Sequence, residues 1–157
     1  QDSFIFSDTI AKNICLGAES IDVDRLVKSA SLANIQKFIE SLPYGYNTKI
    51  GKGGHGLSQG QKQRVLIARV LYKNPEYVFL DEATNALDSE NEFEIMSNMK
   101  EFLKGKTTII VAHRLSTVID ADNIIVMSDG EIAEQGTHEE LLKNKSRYYS
   151  LIQKQLK

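Results

Sequence analysis

Two adjacent carboxylates, Asp81 and Glu82, stand at the end of a short apolar run that begins at Tyr77. Such a run predicts a buried strand, and open α/β sheets bind ligands beyond the carboxyl ends of their strands. In phosphoryl-transfer sites an aspartate at this position holds Mg²⁺, and a neighbouring glutamate can polarise the attacking water. Taken alone, the pattern equally describes a strand that ends in a solvated acidic turn.

Three further groups accompany this pair along the chain. Ser58 with Gln61 has the spacing of a capping box, which predicts the start of a helix whose unpaired N–H groups attract phosphate. Asp88 follows the two acids, and His113 follows the next apolar run. Each group also has an ordinary structural interpretation: a plain helix start, an N-cap of the next helix and a capping residue at a strand end.

The order of these motifs resembles that of the ATP-binding cassette family. The signature motif corresponds to Leu57–Gln61, the Walker B motif ends at Asp81-Glu82, and Asp88 and His113 correspond to the D-loop and H-loop. The resemblance covers essentially all 157 residues, roughly the last two-thirds of such a domain, from the Q-loop to the C-terminus. It implies an α/β, P-loop NTPase-like fold with a helical subdomain and a largely parallel sheet flanked by helices. No G-x-x-x-x-G-K-[ST] pattern occurs, so we expect the N-terminal Walker A part to lie upstream.

The resemblance implies a role for each matching residue, with ATP and Mg²⁺ as cofactors. Asp81 corresponds to the metal ligand, Glu82 to the general base, and His113 to the histidine that contacts the γ-phosphate and orders the attacking water. Gln1 corresponds to the Q-loop glutamine, which binds at the Mg²⁺ and water site and links it to the transmembrane domain. We therefore expect ATP hydrolysis by the intact protein and no activity from this chain in isolation.

The same resemblance predicts a composite site shared by two ATPase domains in a head-to-tail dimer. The signature residues serve the partner's nucleotide, and Asp88 passes between the two domains. Gln59 stands where glycine is usual in the family, which bears on the fine geometry of the motif. The signature residues expected to bind nucleotide are Ser58, Gln59, Gly60 and Gln61.

Features outside the nucleotide motifs indicate an exporter. The stretch from Ser3 to Ile14 is similar to the segment after the Q-loop glutamine in exporters, and Thr48–Gly54 is similar to their X-loop, which meets the transmembrane domain. Lys52 replaces the acid that is usual in the X-loop. The resemblance implies a domain that powers export from the cytoplasmic face of the membrane, with a peptide or bacteriocin exporter as one hypothesis.

Two other classes of protein remain as alternatives. A soluble cassette ATPase acting on DNA or ribosomes shares these motifs, but such proteins usually interrupt them with coiled-coil insertions, and only fifteen residues separate Gln61 from Tyr77. A non-hydrolysing interaction module is disfavoured because Glu82 and His113 are both present.

The elements that must position these residues follow from apolar periodicity and turn signals. A helical subdomain is predicted over 1–73 and the C-terminal part of a RecA-like ATPase core over 74–157. The glycine-rich stretch Gly51–Gly56 is predicted to be a flexible loop, and Thr107–Ala112 a strand buried on both faces. Helices are predicted at 22–31, 35–42, 58–72, 89–104, 137 onward and 146–156, and further strands at 77–80 and 124–127, with a hairpin turn at 129–130.

Composition gives further indications about function. The net charge is −2, which gives no bulk electrostatic reason to expect a nucleic acid partner. The single cysteine, Cys15, cannot form an internal disulfide and is predicted to be a buried apolar residue. No apolar run approaches the roughly 20 residues that span a bilayer, so a membrane role would require a partner or another segment. The chain does not begin with Met, and we expect it to be part of a longer protein.

Overall fold

The structure, a computed structural model, describes residues 4–81, 89–111 and 118–155. The chain forms two compact units, one up to Ile109 and the other from Ile110 onward. The helices in the described ranges are α1 (Ile10–Ile14), α2 (Val23–Leu32), α3 (Gln36–Ser41), a 3-10 helix (Gly45–Asn47), α4 (Gln59–Lys73), α5 (Ser89–Leu103), α6 (His138–Asn144) and α7 (Arg147–Gln155). The strands are β1 (Asp8–Thr9), β2 (Lys49–Ile50), β3 (Tyr77–Asp81), β4 (Thr107–Val111), β5 (Ile124–Ser128) and β6 (Glu131–Gly136).

The long helix α4 organises the first unit and packs against α1 and α2. Asp22 caps α2, and its own backbone N–H donates to the Tyr72 hydroxyl of α4 at 3.0 Å. The guanidinium of Arg25 lies 5.0 Å from the centre of the Tyr72 ring. The buried apolar side chains of this unit include Ile10, Ile14, Leu26, Ala30, Ile35, Ile39, Ile50, Val65, Ala68, Ile95 and Met99. Burial of this shared apolar surface is the main force that holds α4 in place.

The glycine-rich stretch after β2 is a loop whose first half forms a hydrogen-bonded turn, and its predicted flexibility stays a prediction. The His55 N–H donates to the Lys49 carbonyl at 2.8 Å, and the Gly54 N–H donates to the Gly51 carbonyl at 3.1 Å. The Ser7 hydroxyl donates to the Lys52 carbonyl at 2.5 Å. Glycine content signals permissive backbone angles, and here the tertiary hydrogen bonds select one conformation.

Strands β3 and β4 are neighbours in a two-stranded sheet, with the Thr107 N–H donating to the Glu76 carbonyl at 3.1 Å. Val78 and Leu80 point into the core. The prediction that the Thr107 strand is buried on both faces is wrong, because its β-branched residues favour a strand but do not determine what covers each face. The exposed side chains of this sheet include Tyr77 (66%), Phe79 (72%), Ile109 (51%) and Val111 (52%).

The second unit contains the antiparallel β5–β6 hairpin and two helices. Asp129 and Gly130 both have positive φ, at 53° and 83°, as the predicted two-residue hairpin turn requires. Glu134 of β6 accepts hydrogen bonds from the backbone N–H groups of Arg147 and Tyr148, at 2.7 and 3.0 Å, and so caps α7. The core of this unit comprises Ile124, Val126, Leu141, Tyr148 and Ile152.

Most of the predicted elements are present within a few residues of their expected bounds, and the α/β class is confirmed. Among the described residues the strands form three two-stranded sheets, and β1–β2 and β5–β6 are antiparallel. The predicted division at 73/74 separates subdomains and stays a prediction. Cys15 is buried, as predicted, and its burial raises the pKa of the thiol. None of the helices in the described ranges is long and apolar enough to cross a membrane.

Candidate functional site

The N-terminus of α4 carries the predicted capping box. Ser58 has extended backbone angles (φ −63°, ψ 163°) and its hydroxyl oxygen accepts from the Gln61 N–H at 3.2 Å. In return, the Ser58 N–H donates to Oε1 of Gln61 at 2.8 Å. The prediction of a reciprocal cap at this position is confirmed. The first turn of α4 is therefore held in one orientation by local hydrogen bonds.

This capped end retains hydrogen-bond donors for a ligand. A serine hydroxyl that accepts one hydrogen bond can still donate its own hydrogen. The N–H groups of Gln59 and Gly60 belong to the first turn of α4, where no preceding helical carbonyl is in reach. The regular helical hydrogen bonds begin at Lys62, whose N–H donates to the Ser58 carbonyl at 2.9 Å. These donors and the positive end of the helix dipole can together bind a phosphate group.

A surface groove of about 470 Å³ adjoins the start of α4. Its apolar lining includes Phe4, Ile5 and Leu57, and its cationic lining includes Lys52 and Lys62. Gln59 of the signature motif and His55 of the glycine-rich turn also line the groove. The structure thus brings the start of the chain, the predicted X-loop and the signature motif together around one concave surface.

Asp81 is the last residue of β3, and its side chain is exposed beyond the buried Leu80. A carboxylate is the oxygen ligand that Mg²⁺ prefers, and exposure leaves room for the several waters that this cation retains. Asp81 therefore fits the predicted role of a magnesium ligand. The described residues contain no group of three or more His, Cys, Asp or Glu side chains arranged to hold a metal ion.

Four predicted site residues lie outside the described ranges: Gln1, Glu82, Asp88 and His113. Their roles stay predictions. Of the predicted site, the structure describes the signature residues of α4 and Asp81 of β3, both within the first compact unit.

The sequence reasoning missed two polar residues that tie the start of the chain to α4. The Arg69 guanidinium donates to the carbonyls of Phe4 and Asn13, and Asn13 is fully buried. Burial lowers the pKa of Arg69. Two sequence signals could have drawn attention to them: an arginine within the apolar segment 65–71 of α4, and an asparagine before Ile14 in an apolar stretch.

Comparison with known proteins assigns the family. The family model described as "ABC transporter" matches residues 1–85, which is more than half of the chain. The chain belongs to the ABC transporter family, and the prediction made from the motifs is confirmed.

The names of similar curated proteins describe export, translocation or lipid flipping. The chain is 49% identical over 97% of its length to the putative multidrug export ATP-binding/permease protein YgaD of Bacillus subtilis, and covers 26% of it. It is 49% identical over 97% of its length to the leukotoxin translocation ATP-binding protein LktB of Mannheimia glucosida, covering 22%. It is 48% identical over 99% of its length to the ATP-dependent lipid A-core flippase of Saccharophagus degradans, covering 26%. The chain thus spans about a quarter of the length of these relatives or less.

A solved structure supports the fold. The structure of a bacterial Atm1-family ABC exporter with ATP bound superposes with a TM-score of 0.90 at 45% identity, over 99% of this chain and 27% of that one. The predicted ABC ATPase fold is confirmed, and the soluble DNA- or ribosome-associated alternative is not favoured.

Proposed function

We propose that this chain is part of the ATPase motor of a membrane exporter and contributes to the hydrolysis of ATP to ADP and phosphate. The observation that carries the proposal is the capped start of α4 at Ser58, with its unpaired donors, in the same compact unit as the strand that ends at Asp81. The 45–49% identity to exporters over at least 97% of the chain supports the same function.

In this mechanism Asp81 and Gln1 would hold Mg²⁺, which would neutralise charge on the phosphate oxygens. Glu82 accepts a proton from a water molecule as that water attacks the γ-phosphorus, and the bond to the ADP oxygen breaks. His113 contacts the γ-phosphate and orders the water. The chemistry requires a base directly after the metal ligand, and Glu82 directly follows Asp81 at the end of β3.

We further propose that the start of α4 binds the nucleotide held by a second ATPase domain in a head-to-tail dimer. The Ser58 hydroxyl and the N–H groups of Gln59 and Gly60 donate to phosphate oxygens, and the Gln61 side chain holds Ser58 in place. Asp88 contributes at the same interface. Two such half-sites make hydrolysis depend on association of the two domains.

The groove beside α4 is the proposed contact with the transmembrane domain, which would hold this chain at the cytoplasmic face of the membrane. Phe4, Ile5 and Leu57 offer an apolar floor, while Lys52 and Lys62 offer positive charge. The transported substrate stays a hypothesis, because the relatives are named for leukotoxin translocation, putative multidrug export and lipid A-core flipping. Export of a peptide or bacteriocin is the hypothesis that the sequence resemblance indicates.

The proposal is tested by Glu82→Gln in the full-length exporter that contains this chain. We expect turnover to fall by about 10²–10⁴, because a positioned base is lost while the residues that bind nucleotide remain. ATP binding should stay within a few-fold of wild type. The assay is phosphate release per exporter, alongside equilibrium binding of MgATP.

Glu76→Gln is the matched control, since it makes the same change directly before the opposite end of β3. We expect this control to hydrolyse ATP at nearly the wild-type rate. Turnover in Glu82→Gln equal to that of Glu76→Gln would remove Glu82 as the base and with it the proposed mechanism.

A further inference from the structure

Arg69, on the third turn of α4, reaches two separate stretches at the start of the chain. Its Nε donates to the Asn13 carbonyl at 2.7 Å, and both of its terminal nitrogens lie 3.2 Å from the Phe4 carbonyl. One terminal nitrogen also lies 3.3 Å from Oδ1 of Asn13. The planar guanidinium thus joins α4 to Asn13 and Phe4, which precede Arg69 in the sequence by 56 and 65 positions, respectively.

Asn13 completes the connection. It is fully buried, and its Oδ1 accepts from the Phe6 N–H at 2.8 Å. Its Nδ2 donates to the carbonyls of Phe6 and Thr9, each at 3.0 Å. The amide therefore fixes the backbone of residues 6–9 in one conformation, because displacing them would leave buried donors and acceptors without partners.

The Arg69 charge is solvated by oxygen dipoles and by an aromatic ring. The Phe6 ring centre lies 5.7 Å from the guanidinium carbon. Among the ion pairs of the described residues, none involves Arg69. A half-buried cation that donates to backbone and amide oxygens loses part of its solvation when those oxygens move. These hydrogen bonds therefore favour keeping residues 4–9 in register with α4.

We propose that Arg69 and Asn13 form a clamp that makes residues 4–9 and α4 move as one body during the ATPase cycle. This inference rests on the proposed function, in which Gln1 and the start of α4 both serve nucleotide sites. Gln1 precedes the clamped stretch by three residues, and Ser58 begins the helix that carries Arg69. Arg69 and Asn13 are positioning residues in this account, since neither touches nucleotide.

A clamp of this kind has a kinetic signature. Placement of the α4 start on the partner's nucleotide matters for hydrolysis, whereas tight binding of ATP depends on the Walker A part that the resemblance places upstream. Loosening the clamp should therefore lower kcat and leave the KM for MgATP nearly unchanged. A purely structural role would reduce the amount of folded protein, and the folded fraction would turn over normally.

The test uses the full-length exporter with Arg69→Gln, normalised to protein that binds MgATP. We expect kcat to fall about tenfold with less than a twofold change in KM, because a charged donor to three oxygens is lost. Amide hydrogen exchange is measured on the same sample over residues 4–9 and 58–62, with and without MgATP and vanadate. In wild type, MgATP and vanadate should slow amide exchange in both stretches together. In Arg69→Gln, residues 4–9 should exchange about tenfold faster, and their exchange should no longer change in parallel with that of residues 58–62.

Arg25→Gln is the matched control, because Arg25 is an arginine of α2 that also contacts α4, over the Tyr72 ring. It should keep wild-type kcat and linked exchange. Arg69→Lys is the second variant, which keeps the charge and donates to fewer oxygens, so its kcat should be intermediate. If Arg69→Gln does not fold, a kcat of Arg69→Lys equal to wild type overturns the clamp.

The inference is also overturned if Arg69→Gln keeps the wild-type kcat, or if only its KM rises. Faster exchange in residues 4–9 without any change in kcat would reduce the clamp to a structural contact and overturn the proposal. Failure of the proposed function is recognised separately, because it would leave Glu82→Gln active whatever the Arg69 variants do.

Discussion

Gly54 provides a direct test of the turn that lines the groove beside α4. A Cβ added at Gly54 would lie 2.6 Å from the Lys49 carbonyl oxygen, 2.7 Å from its carbon and 2.9 Å from the Ile50 nitrogen. All three atoms are backbone, so no side chain can rotate away. Gly54→Ala must therefore shift the turn away from β2 or displace β2 itself, which includes the fully buried Ile50 and the carbonyl bonded by His55.

The magnitude follows from this enforced shift. A side chain that forces backbone atoms to shift costs about 1–3 kcal/mol, the range found for overpacking. In a small domain the free energy of unfolding typically falls by about 2 kcal/mol for each molar of urea. A loss of about 2 kcal/mol in the free energy of unfolding therefore lowers the urea midpoint by about 1 M. The measurement is urea denaturation of the ATPase domain, followed by far-UV circular dichroism.

Gly56 supplies the control, since a Cβ there meets no atom within 4 Å and its φ lies outside the positive range. Gly56→Ala should be neutral or stabilising by up to about 1 kcal/mol, because alanine restricts the unfolded chain. Equal midpoints for Gly54→Ala and Gly56→Ala would refute the reasoning, since the close approach to Lys49 is the only difference on which it depends.

Two further predictions concern acid stability and nucleotide binding. The Glu140 pKa is lowered chiefly by the Thr137 N–H, and the Glu134 pKa chiefly by the Ser146 hydroxyl and then the Tyr148 N–H. Both carboxylates therefore stabilise the second unit fully above the ordinary pKa of 4.5, and this contribution is lost as pH falls through their lower folded values. Melting temperatures from pH 7 to 3 should fall less steeply in Glu140→Gln than in the control Glu139→Gln, and equal slopes would contradict the assignment. A polypeptide of these 157 residues should bind MgATP only weakly, because its sequence contains no Walker A pattern. Isothermal titration that gave a low micromolar dissociation constant would show that the phosphate site is misplaced.

Local hydrogen bonds explain why part of this structure can be predicted from sequence. The capping boxes at Ser58–Gln61 and Thr137–Glu140 join residues three positions apart, and the turn at Asp129-Gly130 depends on the backbone preferences of two adjacent residues. Each is formed within one short segment, so residue type and spacing suffice. The nucleotide motifs were recognisable for the same reason, because each is a short run in a fixed order.

Tertiary contacts determined the features that the sequence did not predict, namely the exposure of β4, the turn after β2 and the contact between Arg69 and Asn13. The exposed faces of Ile109 and Val111 depend on which elements cover β4, and β-branched composition does not encode that. The turn after β2 is held by Ser7, 45 positions before the Lys52 carbonyl that it binds. Arg69 and Asn13 meet across 56 positions, and neither residue type nor spacing predicts a contact at that distance. The sequence alone thus determined the family, the local caps and the candidate chemistry, whereas the positions of the start of the chain and of the groove beside α4 required the folded structure, because they depend on side chains that only folding brings together.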